Sequence, residues 1–376
     1  MTVEPRRNGP PSQRGHMAEA GPGGMRRLGV TLLIFLTVSL VPSLAPAQQP
    51  PIHLKIVGGL AGVTQFDRYE VPFWLERVPR LTSGRVQAEI ATFDRSGIRG
   101  NEFIHLMRVG VIPFGTLILT IAGADEPELT ASDLAALNPD MAHLRRNVQA
   151  FRSVFTRTLR RNHNLEVLAV YAYPAQVLFC TRPFTGLGDI LGRRVRTSSA
   201  TQADLIEAVG AIPVVIPFAD IVSSIRRGAV ECAITGTLSG NSIGLHEVTS
   251  HVHAMALSWG VSVFAAHGPS WAALPEEVRS QISSGLASLE QEIWAAAEQD
   301  TLQGLRCNAG EADCTAGQRG RMRVVPVSEA DEEIRRRLVR QAVLPRWLDR
   351  CGEDCITTWN DSLAATTGMR AMGLAR

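Results

Sequence analysis

"LGDILGRRVRTSSATQADLIEAVGAIPVVIPFADIVSSIRRGAVECAITG", Leu187 to Gly236, reads as strand, helix, strand, helix, strand. "RRVRTSS" alternates and ends on Arg196 and the hydroxyl run Thr197-Ser198-Ser199. A helical spacing follows over 201–209. "IPVVIPF" is a second strand, Ala219 to Arg227 a second helix and "AVECAIT" a third strand. This order implies parallel strands with helices on the sheet faces. It also places Arg196 at the carboxyl end of a strand, directly before a helix N-terminus. The first amides of a helix are unpaired there, and its dipole favours negative charge. A planar guanidinium matches a carboxylate through two parallel hydrogen bonds. Two readings stand at this point: an anion site, or a structural arginine beside Arg193 and Arg194.

Working outward, the N-terminal half repeats the pattern. "IHLKIVGGL" and "RVQAEIATF" alternate as strands, with a helical spacing from Tyr69 to Leu81 between them. "GNEFIHLMRVGV" is a short helix and "FGTLILTIA" a strand. Asp133 to Asn162 is helical, and "LEVLAVYAY" and "QVLFCTR" follow as strands. Beyond the central stretch, "HVHAMALSWGVSVFAAHG" returns as strands. Pro275 to about Leu305 is one long helix, with Pro and then Glu276 and Glu277 in its first turn. Two α/β blocks, strands crossing between them and a helix across the join predict an α/β fold of two lobes around a cleft. Ligands sit at such interfaces and at the carboxyl ends of parallel strands.

Composition narrows the function. The chain has 376 residues, 45% hydrophobic and 20% charged, and a net charge of +2 gives no case for nucleic acid. Lys55 is the sole lysine among 38 basic residues. A Walker A loop and a Schiff-base enzyme each need a well-placed lysine, which excludes both classes. No glycine-rich dinucleotide fingerprint is present. No G-x-S-x-G elbow marks a serine hydrolase.

The N-terminus reads as an export signal. Arg26-Arg27 precede the apolar run "LGVTLLIFLTVSL", and Ala45-Pro46-Ala47 follows as an A-x-A site. The run is short for a membrane span, and a retained anchor is the alternative. Six cysteines suit an oxidising compartment. "CNAGEADC" pairs Cys307 with Cys314 around a short polar loop, and "CGEDC" pairs Cys351 with Cys355. A four-cysteine zinc site is the rival reading. Cys180 and Cys232 sit in apolar contexts; buried free thiols are the default and an oxidised pair the alternative. His246, His251 and His253 lie close in "HEVTSHVH", which leaves an exported metal-dependent enzyme as a rival function.

The ordered pieces Ile190-Leu191-Gly192, Val195-Arg196, Ala208-Val209-Gly210-Ala211, Pro217-Phe218 and Gly228-Ala229-Val230-Glu231 resemble the solute-binding proteins of TRAP transporters, the DctP-like group. "SGRVQAEI", "NEFIHLMRVG" and "WAALPEEVRSQI" extend the resemblance over most of residues 52–350. It implies a periplasmic-binding-protein-like fold with a long helix spanning both lobes. It implies a protein that is not an enzyme. A small organic acid would be gripped at Arg196 and delivered to a separate membrane permease. The lobes would take 48–172, with 260–302 and the long helix returning to it, and 173–259, with 303–376. Residues 1–47 would be the signal peptide and an N-terminal extension, and the mature protein periplasmic. Phe218 matches an aromatic that often lines the family's pocket. Gln176 stands near the place of a further family arginine, and Thr235 near the place of a family asparagine. Those two departures favour a monocarboxylate with an apolar or aromatic body. The candidate ligand-binding set is Arg196, Phe218, Gln176, Thr235, Gly236 and Trp259, with Phe114 and Thr116 at a strand entry of the first lobe. No metal, cofactor or nucleic-acid partner is expected. A ligand sensor on the same fold, handing its ligand to a signalling receptor, is a further alternative.

Overall fold

The computed structural model describes residues 50–373. The expected signal peptide over 1–47, and its anchored alternative, lie outside the described residues. The strands among these residues are β1 (Ile52–Gly58), β2 (Val86–Thr92), β3 (Phe114–Ile118), β4 (Leu165–Ala172), β5 (Gln176–Cys180), β6 (Arg194–Thr197), β7 (Ile212–Val215), β8 (Cys232–Gly236), β9 (His251–His253), β10 (Val261–His267) and β11 (Arg323–Val325). They form two sheets, ordered β2-β1-β3-β10-β4 and β11-β9-β5-β8-β6-β7. β1 runs parallel to β2 and β3, and β6 runs parallel to β7 and β8, as the two β-α-β-α-β patterns require. β10 returns from the second block and inserts antiparallel between β3 and β4. The result is the two-lobed α/β fold.

The crossings between sheets are tied to one another. Gln176 N donates to Ser258 O at 2.7 Å, Leu257 N to Gln176 O at 2.9 Å and Tyr173 N to Gly260 O at 3.0 Å. The carboxylate of Asp133 clasps one crossing by accepting from the amides of Trp259 (3.1 Å) and Gly260 (2.7 Å). Gly260 has φ +84°, a conformation that glycine adopts without strain.

The long helix spans Glu276–Ala309 and is closed by Gly310 in the left-handed conformation. Val278, Ile282, Leu286, Leu289 and Ile293 recur at three- and four-residue spacing and bury against Leu54, Ile56 and Phe264 of the first sheet and Trp74 of the helical segment Phe73–Arg77. Farther along, Trp294 Nε1 donates to Val170 O at 2.8 Å, and Asn308 Nδ2 donates to Thr237 O at 3.0 Å. One helix therefore packs on the first sheet and on the helix Thr237–Ser242 that follows β8.

Local departures have local causes. The helix expected over Asp133–Asn162 begins at Met141, with Asp140 as its cap accepting from His143 N at 2.8 Å. Pro139 bars the residue before it from helical geometry, and Pro127–Asp133 is instead a 3-10 segment. The C-terminal segment, grouped in the sequence reading with the second lobe, touches the first as well. Arg335 Nη1 donates to Ala136 O, Trp347 Nε1 to Pro127 O and Thr358 Oγ1 to Glu128 Oε1. Its helices carry an apolar stripe, Trp347, Leu348 and Trp359, that finds cover there.

Cys307–Cys314 and Cys351–Cys355 are disulfides. The free-thiol reading of Cys180 and Cys232 is corrected: they are bonded to each other. They stand opposite one another on antiparallel β5 and β8, a register that only sheet formation supplies.

Candidate functional site

A cavity of about 900 Å³ lies between the two sheets. The first sheet contributes residues just past the ends of β1, β2 and β3, among them Leu60, Phe93, Asp94 and Ile121. The second contributes Arg196 of β6, the helix start Ser198–Thr201, Phe218 after β7, and Thr235 and Gly236 at the end of β8. Parallel strands thus direct their carboxyl ends at the cavity from both sides.

Arg196 is the cation of β6 in the second wall, which also carries Asp220 past Phe218. Its side chain is held flat by two carbonyls: Nε donates to Ile216 O at 2.8 Å and Nη1 to Ile234 O at 2.6 Å. The residue is 3% exposed. Burial pushes its guanidinium down from 12.5 to about 10, with no carboxylate opposing the shift. It remains charged at neutral pH. A guanidinium carries five donors, so Nη2 and one Nη1 proton are left for the cavity that Arg196 lines. A buried charge without a counter-ion costs several kcal/mol, on the order of 3–5, and an incoming anion would offset that cost. Beside it, Ser199 caps the helix Ala200–Ala208, its side chain accepting from Gln202 N at 3.2 Å. Three sources of positive potential therefore meet: a guanidinium, unpaired helix amides and a helix dipole.

Gln176 lines the cavity, but its amide is already engaged. Nε2 donates to Trp259 O, and Oε1 accepts from Gln202 Nε2, both at 3.2 Å. Gln202 in turn donates to Ser258 Oγ at 2.8 Å and accepts from Ser198 N at 2.8 Å. This network sets the wall around Arg196. The rest of the lining is mostly apolar and includes Val63, Ile98 and Ile118 from the first lobe and Val215 and Phe218 from the second.

Arg196, Phe218, Gln176, Thr235 and Gly236 are brought together around the cavity. Trp259, Phe114 and Thr116 are not. Trp259 is buried, with Nε1 donating to Asn138 O at 3.0 Å. Phe114 packs in the core under the long helix, and Thr116 Oγ1 donates to the buried Glu70 Oε1 at 2.7 Å. Both share a strand face with Ile118, but the Glu70 side chain and the core under the long helix cover that face along β3, and the cavity is reached only at its carboxyl end, by Ile118 and then Thr120 and Ile121. Burial raises the carboxyl of Glu70 above its usual range, although Gly59 N, Gln65 and Thr116 all donate to it.

Sequence reasoning missed Asp94, Tyr173, Trp347 and Arg350, which also line the cavity. Ser198 and Thr201 were legible, standing next to Arg196 at a capped helix. Nothing local marks Trp347 or Arg350, which reach the cavity from the far end of the chain. The three histidines do not converge. His246 faces Asn241, His251 faces Ser250 and His253 faces Asp331. No group of three or more metal-ligating side chains is assembled among the described residues.

A cleft between two α/β lobes, with a buried cation on one wall, defines a small-solute receptor. The description "Bacterial extracellular solute-binding protein, family 7" (DctP) matches residues 67–322, and the chain belongs to that family. Its members are extracytoplasmic solute receptors of TRAP transporters, not enzymes, and work with membrane permease components. The chain is 24% identical over 130 residues to the ectoine-binding periplasmic protein TeaA of Halomonas elongata, a stretch covering 34% of this chain and 38% of that protein. Its fold is similar to that of a Bordetella pertussis extracytoplasmic solute receptor binding pyroglutamic acid, with TM-score 0.74 and 16% identity over 83% of this chain and 99% of that one. A Desulfovibrio salexigens TRAP solute-binding protein with bound orotic acid superposes with TM-score 0.72 and 17% identity, over 84% and 99% of the two chains.

Proposed function

We propose that this protein is the periplasmic receptor of a TRAP-type transporter and captures a small organic monocarboxylate. Arg196 carries the reading: it is buried, charged, free of any acidic partner among the described residues, and lines the cavity. It grips the carboxylate through its remaining donors, with the helix amides beyond Ser199 next to it. Phe218, Ile121 and Val215 accept an apolar or aromatic body. Gln176 and Thr235, standing where the family resemblance suggested an arginine and an asparagine, add no cation there, and the other arginines of the lining have acidic neighbours, Arg350 on Asp204 and Arg99 at 3.8 Å from Glu102, which disfavours a dicarboxylate. Pyroglutamate and orotate, bound by proteins of the same fold, are carboxylates of fitting size. The loaded receptor delivers its acid to membrane permease subunits.

The test is native mass spectrometry of protein purified from the periplasm, compared with its denatured mass, followed by calorimetry with the acid so identified. Arg196→Ala should weaken binding by about 2–5 kcal/mol while the protein stays folded. Near-native affinity in that variant overturns the assignment.

A further inference from the structure

The helix Leu344–Cys351 lies beyond the part of the chain that the family description matches. It nevertheless reaches the cavity, through Trp347 and Arg350. We infer that this helix is a working part of the ligand site: a clasp that walls the cavity and holds the cleft shut through an ion pair between Arg350 and Asp204.

Two sides of one helix make the argument. Trp347 faces the first lobe. It is fully buried, donates from Nε1 to Pro127 O at 2.8 Å and packs against Trp359 with ring centres 5.8 Å apart. Pro127 is itself a cavity residue. The next helix continues the attachment, with Thr358 Oγ1 donating to Glu128 Oε1 at 3.0 Å, and the Cys351–Cys355 disulfide joins the two helices. Arg350 and Arg346 face the second lobe. Arg350 grips both oxygens of Asp204, at 3.0 and 2.5 Å, and Arg346 reaches Glu207 at 2.8 Å. Asp204 and Glu207 belong to the helix Ala200–Ala208, whose N-terminus forms the cavity wall beside Arg196. One helix therefore touches both walls of the same cavity.

The two attachments differ in kind. The tryptophan side is apolar and sealed from water. On the other side the contacts are ionic, with Arg350 35% exposed over an Asp204 that is 10% exposed and Arg346 40% exposed on a Glu207 that is 61% exposed, so solvent and salt reach them through the arginines and Glu207. Separation of the walls breaks the ionic contact and leaves Trp347 seated. The segment has a place to bend: the π-helical turn Val339–Val343, followed by Pro345.

The test needs no ligand, so it stands apart from the carboxylate reading. Small-angle scattering is recorded on the unliganded full chain in about 0.01 M and about 1 M sodium chloride, where the Debye length is roughly 30 and 3 Å. The same is done for Arg350→Gln and Asp204→Asn, with circular dichroism to verify folding. The expected result is a wild type that is compact in low salt and gains radius of gyration in high salt, and variants with the larger radius in both. A wild type of equal radius in both salts overturns the clasp, and so do folded variants as compact as the wild type in low salt. The wild-type salt comparison decides the matter even if a variant fails to fold.

Discussion

Arg196 holds a charge that the protein does not neutralise, and its chemistry follows from that. Burial lowers the guanidinium to about 10, so it is protonated throughout the neutral range and loses its proton as pH rises through that value. Carboxylate affinity, followed by calorimetry, should be level around neutral pH and fall above about 10; unchanged affinity there would separate binding from this charge. Asp133 shows the opposite sign. Burial raises its carboxyl from 3.8 to about 6, against the pull of the Gly260 and Trp259 amides and of Asn138. A carboxyl with a folded value above its unfolded one binds its proton more tightly when folded. Its ionisation therefore costs stability above about 6, and the cost disappears as pH falls toward the unfolded value. Relative to Asp133→Asn, the wild type should gain about 2–3 kcal/mol between about pH 7.5 and about pH 4, measured by urea unfolding.

Gly304 sits where the long helix crosses the segment after β8. A Cβ built there would lie 2.3 Å from Leu238 N and 2.4 Å from the Thr237 carbonyl carbon. In an exposed helix, glycine to alanine would stabilise by about 1 kcal/mol. Here Gly304→Ala must push the long helix off the helix Thr237–Ser242, and unfolding should show a loss of about 1–3 kcal/mol. The disulfides obey a different rule, the length of chain they close. Cys180–Cys232 spans 52 residues and Cys307–Cys314 spans 7. Chain entropy predicts about 4 kcal/mol for the first and about 2 for the second. Paired alanine variants should rank in that order by thermal unfolding.

Across the whole molecule, the cavity is made by two sheets that meet at hydrogen-bonded crossings around Gln176 and Ser258. A ligand that bridges both walls favours the closed arrangement by its differential affinity for it. In about 1 M sodium chloride, where the Arg350–Asp204 pair is screened, scattering from the wild type should show a smaller radius of gyration with the identified acid than without it. Arg196→Ala should show no such change. An identical radius in the wild type with and without acid would mean that capture needs no closure.

The strands, the long helix and the place of Arg196 were legible because each rests on neighbours in the chain. Alternation, 3.6-residue spacing and capping are short-range, and Thr197-Ser198-Ser199 announces a helix start wherever it folds. Trp259, Phe114 and Thr116 lie off the cavity for a related reason: Phe114, Thr116 and the cavity residue Ile118 share one face of β3, and neither that face nor the loop at Trp259 shows how far the cleft extends. That limit belongs to packing, in which Glu70 and the Trp74 core claim β3. The pairing of Cys180 with Cys232 needed the register of β5 on β8. The wall made by Trp347 and Arg350 needed a fold that carries the C-terminus back to Pro127 and Asp204. Local pattern thus determined the elements and the place of Arg196 before a helix start, because those follow from backbone periodicity and helix ends. Folding alone decided the cavity's other walls, because contacts between distant segments are selected by burial and shape, which no short stretch encodes.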